Sequence, residues 1–288
     1  VRKFLPFLFV LLWSTGFIGA KYGLPYAEPL TFLGARYLLV LALMLSVALL
    51  FRAPWPAQRQ DWLHIGFSGV LLHGVYLGGV FMAIQRGLPA GITALVVGMQ
   101  PLLTALGAGW LLGERVSRRQ WLGLALGLGG VALVVSGKFG AAAGGPLASA
   151  LLPALAALCG ITVGTLYQKR FCPSFDLRSG AVIQFLPTAL LTLLVAGATE
   201  QQEIVWSGTF IFALLWLVLV LSVGAISLLN LLIRSGSAVN VASLFYLTPP
   251  TTALIAWAAF GETLSGAALL GMALAVAGVY LARAAPRQ

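Results

Sequence analysis

The sequence predicts an all-α, polytopic membrane protein of ten transmembrane helices in two inverted five-helix repeats, and three observations carry that prediction. Composition is the first: 60% of the 288 residues are hydrophobic and only 8% are charged, whereas a soluble domain carries roughly a quarter charged residues. No aqueous fold can hide that much apolar surface. The second observation is segmentation into ten apolar runs, each long enough to cross a hydrocarbon core. The third is self-similarity at one fixed offset along the chain. A mean hydropathy of +0.99 with 34 Gly also suits membrane helices, because small residues let backbones approach where lipid supplies no hydrophobic drive.

The first five spans are placed at Phe4 to Lys21, Leu30 to Phe51, Trp62 to Ile84, Ala90 to Gly113 and Trp121 to Val135. The second five run over Leu147 to Gln168, Ser179 to Ala198, Ile211 to Leu232, Val239 to Gly261 and Gly266 to Ala282, bounded by Gly, Pro or charged residues. The first run follows Arg2 and Lys3, but no small-x-small cleavage site comes after it, so it reads as a span and not as a signal peptide. The chain begins with Val, which suggests a trimmed N-terminus.

With a cytoplasmic N-terminus, the inside segments hold Arg2, Lys3, Arg52, Arg59, Arg115, Arg118, Arg119, Lys169, Arg170, Arg178, Arg234, Arg283 and Arg287. The outside holds Lys21, Arg86 and Lys138, and Arg36 lies within a span. That imbalance predicts an inner-membrane protein with both termini in the cytoplasm. Trp55, Trp62, Trp121 and Trp206 fall near span ends, where indole rings favour the interface, whereas Trp13 is mid-span. The net charge of +10 is spread in ones, twos and threes between apolar runs, so no basic patch for nucleic acid forms.

Sliding the chain by 148 residues pairs Pro101 with Pro249, Gly113 with Gly261, Glu114 with Glu262, Gly123 with Gly271 and Gly130 with Gly278. Pro101 to Val135 matches Pro249 to Arg283 at 15 of 35 positions without a gap. The same offset pairs Gly16 with Gly164, Lys21 with Lys169 and Arg86 with Arg234, pairs that apolar bias does not explain. The repeats are therefore set at residues 1–140 and 141–288. Five spans is an odd number, so the second copy enters the membrane from the opposite side. Inverted repeats place a site near the midplane and supply two equivalent conformations, which is what alternating access requires.

Pro101, Pro249 and Pro250 fall near the middle of spans four and nine, where each frees a carbonyl one turn earlier and kinks the helix. Around them lie Met99, Gln100, Phe245, Tyr246 and Thr248. His73 and Tyr76, three apart, share a face of span three, and Trp13 with Ser14 occupies the middle of span one. These aromatic and sparse polar groups suit a small amphipathic solute held by ring stacking and a few hydrogen bonds. For each aromatic alone, ordinary helix packing is the competing reading.

Arg36, about 9 Å into span two, either pairs with Glu28, meets a carboxylate substrate or snorkels to the surface. Lys21, nearer the edge, reads as an interfacial anchor before a substrate contact. All seven acids (Glu28, Asp61, Glu114, Asp176, Glu200, Glu203 and Glu262) lie at or near span ends, leaving no buried carboxylate as a proton carrier. His73 is the one deep group that titrates near neutrality, and a packed neutral histidine is its commoner explanation. Cys159 and Cys172 read as inert thiols. Gly123 and Gly127 stand in GxxxG spacing, a weak signal that spans five and ten form a scaffold or a homodimer contact. No HExxH, GxSxG, P-loop or dinucleotide fingerprint is present, so no enzyme, metal or cofactor is expected.

The run WSTGFIGAKYG at Trp13 to Gly23, the TFLGARY of Thr31 to Tyr37, and the GER at Gly113 to Arg115 with the W-x-G of Trp121 to Gly123 resemble the EamA-type members of the drug/metabolite transporter superfamily. The resemblance covers essentially the whole chain and is nearest to YddG-type exporters of aromatic and other amino acids. It implies a central cavity formed by spans one to four and six to nine, with five and ten peripheral. Relatives that move phosphorylated sugars need several cavity cations, and small multidrug exporters need a membrane-embedded glutamate, neither of which this chain offers. Export of other drugs or metabolites stays open, as does a membrane sensor or channel, which would not need inverted repeats. The expected partners are a small-molecule substrate and the bilayer.

Overall fold

The computed structural model describes residues 4–88, 90–136, 147–172, 174–260 and 264–283. Among them the regular structure is helical, with one isolated β-bridge between Ala27 and Ile204. Twelve helical segments follow one another. The first six are α1 Leu5–Gly23, α2 Pro29–Leu50, α3 Arg59–Gln85, α4 Ala90–Val97, α5 Gln100–Leu111 and α6 Arg118–Ser136. The others are α7 Leu147–Phe171, α8 Leu177–Thr199, α9 Gly208–Ser235, α10 Ala238–Ser243, α11 Thr248–Phe260 and α12 Gly266–Arg283. Six of the described helices are long and apolar enough to cross a membrane.

Burial runs opposite to that of a soluble protein. Phe7, Leu50, Trp110, Leu194, Leu269 and Tyr280 lie on the outside, while Ser14, Arg36, His73, Gln100, Gln168, Gln184 and Asn230 are buried. Lipid accepts the apolar exterior and cannot hydrate polar groups, so the polar residues turn inward and bond to one another. This is a multi-pass membrane protein.

Helix ends follow from local chemistry. Pro29 starts α2, where its missing N–H costs nothing. Asp176, Ser207 and Ser237 cap α8, α9 and α10 through their side chains. Ser117 and Gln120 open α6 with a reciprocal capping box: Gln120 N donates to Ser117 Oγ at 3.2 Å, and Ser117 N donates to Gln120 Oε1 at 2.9 Å. Pro153 inside α7 leaves the carbonyl of Ser149 without its helical donor, and Arg86 Nη1 donates to that oxygen at 2.9 Å.

Two kinds of irregularity recur at the offset of 148. A π-helical stretch, Val70–Val75, interrupts α3, and a second, Leu217–Ala225, interrupts α9 and contains 218–223, its offset counterpart. The sequence expects kinks at Pro101, Pro249 and Pro250; the structure instead breaks the helices there. Residues 98–99 form a turn between α4 and α5, and the 3-10 segment Leu244–Leu247 separates α10 from α11. Pro101, Pro249 and Pro250 then stand in the first turns of α5 and α11, the positions that tolerate a missing N–H.

Helices α6 and α12 pack on each other through their small residues. A methyl group added at Gly123 would strike the carbonyl of Gly278, and one at Gly130 the carbonyl of Gly271. Adding 148 converts Gly123 to Gly271 and Gly130 to Gly278, so these two contacts exchange with each other. Leu12 against Gly224 and Gly160 against Tyr76 form a second such pair. The glycine face of α6 is thus used within the chain, and a homodimer through α6 and α12 would have to employ their opposite faces.

Candidate functional site

A narrow cavity of about 40 Å³ lies among α1, α2, α3 and α9. Its walls are Trp13, Gly16 and Ala20 of α1, Arg36 of α2, Tyr76, Leu77, Val80 and Phe81 of α3, and Leu217, Leu221 and Ile226 of α9. That volume holds about three water molecules. A larger solute therefore requires the helices or rings to part.

The aromatic wall is built from three directions. Trp13 stacks on Tyr76 with centroids 6.2 Å apart and planes 10° from parallel, and meets Phe245 edge-on at 5.3 Å. Phe9, one turn before Trp13, contacts both Trp13 and Phe245, at 5.2 and 5.4 Å. Phe9 escaped the sequence reading; its signal was the spacing of four from Trp13, which sets both rings on one helix face. Tyr76 begins the α-helical turn that follows the π-helical stretch of α3. The wider turn before it sets the direction of the ring.

Arg36 is 3% exposed and its Nε donates to Ser222 Oγ at 2.9 Å. It does not snorkel, and it does not reach Glu28, whose carboxylate instead accepts from the backbone N–H of Gln201 and Gln202. Among the described residues no acid forms an ion pair with Arg36. The side chain of Lys21 lies outside the described residues.

The remaining candidates sit apart from the cavity walls. His73 lies flat against Phe185, centroids 4.4 Å apart and planes 5° from parallel, while its backbone carbonyl accepts from Tyr37 at 2.8 Å. Ser14 Oγ donates to the carbonyl of Val10 at 2.7 Å and to that of Thr248 at 3.3 Å, tying α1 to the start of α11. Gln100 donates to Thr104 within α5. Tyr246 lays its ring against Gly127 of α6. The buried atoms Gln100 Oε1, Tyr246 Oη, Thr248 Oγ1 and His73 Nε2 have no hydrogen-bond partner among the described residues. Three of them border the two helix breaks, so polar solvent or solute is best accommodated there.

The two ends of the bundle are closed differently. At the end where α3 and α8 begin, Gln184 Nε2 donates to Ser68 Oγ and to Gln168 Oε1, both at 3.1 Å. Gln168 Nε2 donates to Asn230 Oδ1 at 3.0 Å, and Asn230 Nδ2 donates to Gln184 Oε1 at 3.3 Å. Four helices are thereby joined by buried amides and a hydroxyl. Sequence reading missed this network because each member is a lone polar residue in a different span. At the opposite end, Glu200 accepts from Leu30 N at 2.8 Å and from Thr31 N at 2.7 Å, holding the α2 start to the α8 terminus. The cavity lies between the two closures. Both cysteines are free, and burial pushes the Cys172 thiol up to about 11, so it carries no thiolate near neutrality.

A bundle of membrane helices with polar groups and broken helices inside it is an arrangement that membrane transporters use. The EamA-like transporter family model matches residues 4–136 and again 148–284. The chain belongs to this family. It is 31% identical to a Salmonella typhimurium protein named "Probable amino-acid metabolite efflux pump", over 96% of this chain and 93% of that one. It is 29% identical to the Escherichia coli inner membrane transporter YedA, over 99% and 95%. A solved structure, titled only as the crystal structure of a protein, superposes with a TM-score of 0.78 at 25% identity, covering 96% of this chain and 94% of that one.

Proposed function

We propose that the chain exports amino acids, aromatic and other neutral ones, by alternating access between two inverted five-helix repeats, residues 1–140 and 141–288. The observation that carries the reading is the cavity walled by Trp13 and Tyr76 and backed by Phe245, with one buried cation, Arg36, and no acid in its wall. Stacked rings offer a flat apolar solute contact area and quadrupole interactions without committing the site to one side chain. The double match of the family model and the contacts that exchange at an offset of 148 support the repeat reading. So does the relative named as an amino-acid metabolite efflux pump. Ten spans are read from the ten apolar runs, and both termini in the cytoplasm from the distribution of Lys and Arg.

In this reading Trp13, Tyr76 and Arg36 bind substrate directly, and Phe245 supports the Trp13 ring from behind. Ser14 and Thr248 tie α1 to the break between α10 and α11, and Gln100 and Tyr246 border the moving breaks. The acids lie at or near span ends, so proton coupling has no evident carrier, and facilitated export or exchange stands level with antiport. Counterflow in proteoliposomes tests this directly. Aromatic, aliphatic and basic amino acids trapped inside are compared for their ability to drive uptake of label, with and without a pH gradient. Uptake driven by trapped aromatic or neutral amino acids is the expected result; no exchange of any amino acid by folded protein would sink the reading.

A further inference from the structure

Arg36 presents an imbalance. A guanidinium stays charged at any physiological pH, and a buried one without a counter-ion costs several kcal/mol. Ser222 satisfies only the Nε–H, one of five N–H donors. The same side chain forms part of the cavity wall, together with Trp13 and Tyr76. Among the described residues no carboxylate pairs with it.

Four of the seven acids are committed elsewhere. Glu28 and Glu200 hold backbone N–H groups at one end of the bundle, Glu114 accepts from Ala238 N at 3.0 Å, and Asp176 caps α8 and pairs with Arg178 at 2.8 Å. The cavity wall is otherwise made of rings, aliphatic side chains and small residues. An arriving solute thus finds a paired fork of donors for an anion and aromatic or aliphatic surface for an apolar body. It finds no anion for an ammonium group.

We propose that Arg36 is the anion anchor of this cavity, and that the carrier selects solutes by a carboxylate joined to an apolar body, without a charge contact to an amino group. The proposal rests on the carrier reading above and narrows its substrate class: a deaminated aromatic acid is as good a cargo as the corresponding amino acid. Carboxylate and guanidinium form two parallel charge-assisted hydrogen bonds in a site shielded from water. The solute supplies the missing counter-ion.

The test uses three probes of one shape in counterflow: L-phenylalanine, 3-phenylpropionate and phenethylamine, with protein-free vesicles setting the passive leak. Trapped phenylalanine and phenylpropionate are expected to drive label uptake to similar extents, and phenethylamine to give none above leak. Arg36→Gln is expected to lower exchange of both carboxylates by about tenfold or more, and Arg36→Lys, which keeps the charge but loses the fork, by less. Phenylalanine exchanging while phenylpropionate does not overturns the anchor and leaves the amino-acid carrier intact. Exchange of phenethylamine equal to that of phenylalanine also overturns it. If none of the three exchanges through monodisperse protein, the anchor as proposed here is overturned, and the carrier reading falls with it only if the aliphatic and basic amino acids also fail to exchange. The three-probe comparison needs no variant, so a misfolded Arg36→Gln does not decide the question.

Discussion

At the scale of single residues, Trp13 touches Phe9, Tyr76 and Phe245 in three different orientations. Trp13→Ala removes the surface shared by all three and widens the cavity. The expected outcome is a loss of about tenfold or more in amino-acid flux with the yield of monodisperse protein retained, since ring stacking is worth about 0.5–1.5 kcal/mol per pair. Tyr76→Ala should behave likewise, and flux at wild-type level in both would remove the aromatic site. Tyr246→Phe makes the contrast: the hydroxyl is buried without a partner and the ring packs on Gly127, so flux should stay unchanged and thermal stability unchanged or raised. Trp13 and Arg36 were legible in the sequence because a large indole or a charge in mid-span has few bland explanations. Tyr246 was grouped with Phe245 because both lie beside Pro249 and Pro250 in the sequence, and nearness to a proline does not say which way a ring turns from the 3-10 segment Leu244–Leu247.

At the scale of elements, the close approach of α6 and α12 depends on four glycines, and it was legible only as a weak GxxxG spacing. Gly130 faces the backbone of Gly271 and Ala275, so Gly130→Leu must push the two helices apart. Overpacking of this kind costs about 1–3 kcal/mol. A thermal-stability measurement in detergent should show that loss, and Gly129→Leu, whose position meets open space, should show none. The end clasp gives a second prediction. Glu200 accepts from two N–H groups and the Thr31 hydroxyl at the start of α2, and Glu200→Ala strands all three, with an expected cost of about 1–2 kcal/mol. Glu200→Gln, which keeps one acceptor oxygen, should lose less. Sequence spacing could not reveal this cap, because acceptor and donor lie 170 residues apart. The π-helical stretches were equally hidden: Val70–Val75 and Leu217–Ala225 are ordinary apolar sequence, and the extra residue per turn is stabilised by packing against α7 and α1, not by local signals.

At the scale of the whole molecule, the offset of 148 sets Gln184 where Arg36 stands in the first half, and the two positions have diverged. Arg36 faces the cavity, while Gln184 is the hub of a network linking Ser68, Gln168 and Asn230 at the far end of the bundle. The apolar helices were legible because hydropathy is summed over many residues; this divergence was not, because it lies in hydrogen bonds between helices distant in sequence. For a carrier that alternates between two openings, the network must break whenever its end of the bundle opens. Gln184→Ala removes three hydrogen bonds at once, each worth about 0.5–1.5 kcal/mol net, and shifts the balance toward opening at that end. The shift is read by a cysteine at the network itself: Ser68→Cys, in a chain whose Cys159 and Cys172 are replaced by Ser, reacts with a membrane-impermeant maleimide only when water reaches it. By the orientation proposed above, inside-out vesicles present this end to the reagent, and Gln184→Ala should raise the labelling rate severalfold there while leaving right-side-out vesicles unlabelled. Equal rates with and without Gln184→Ala would mean that the amides hold the bundle together without closing it, and the closure would then have to be sought where Lys169 binds the carbonyls of Ile233 and Gly236 at the end of α9.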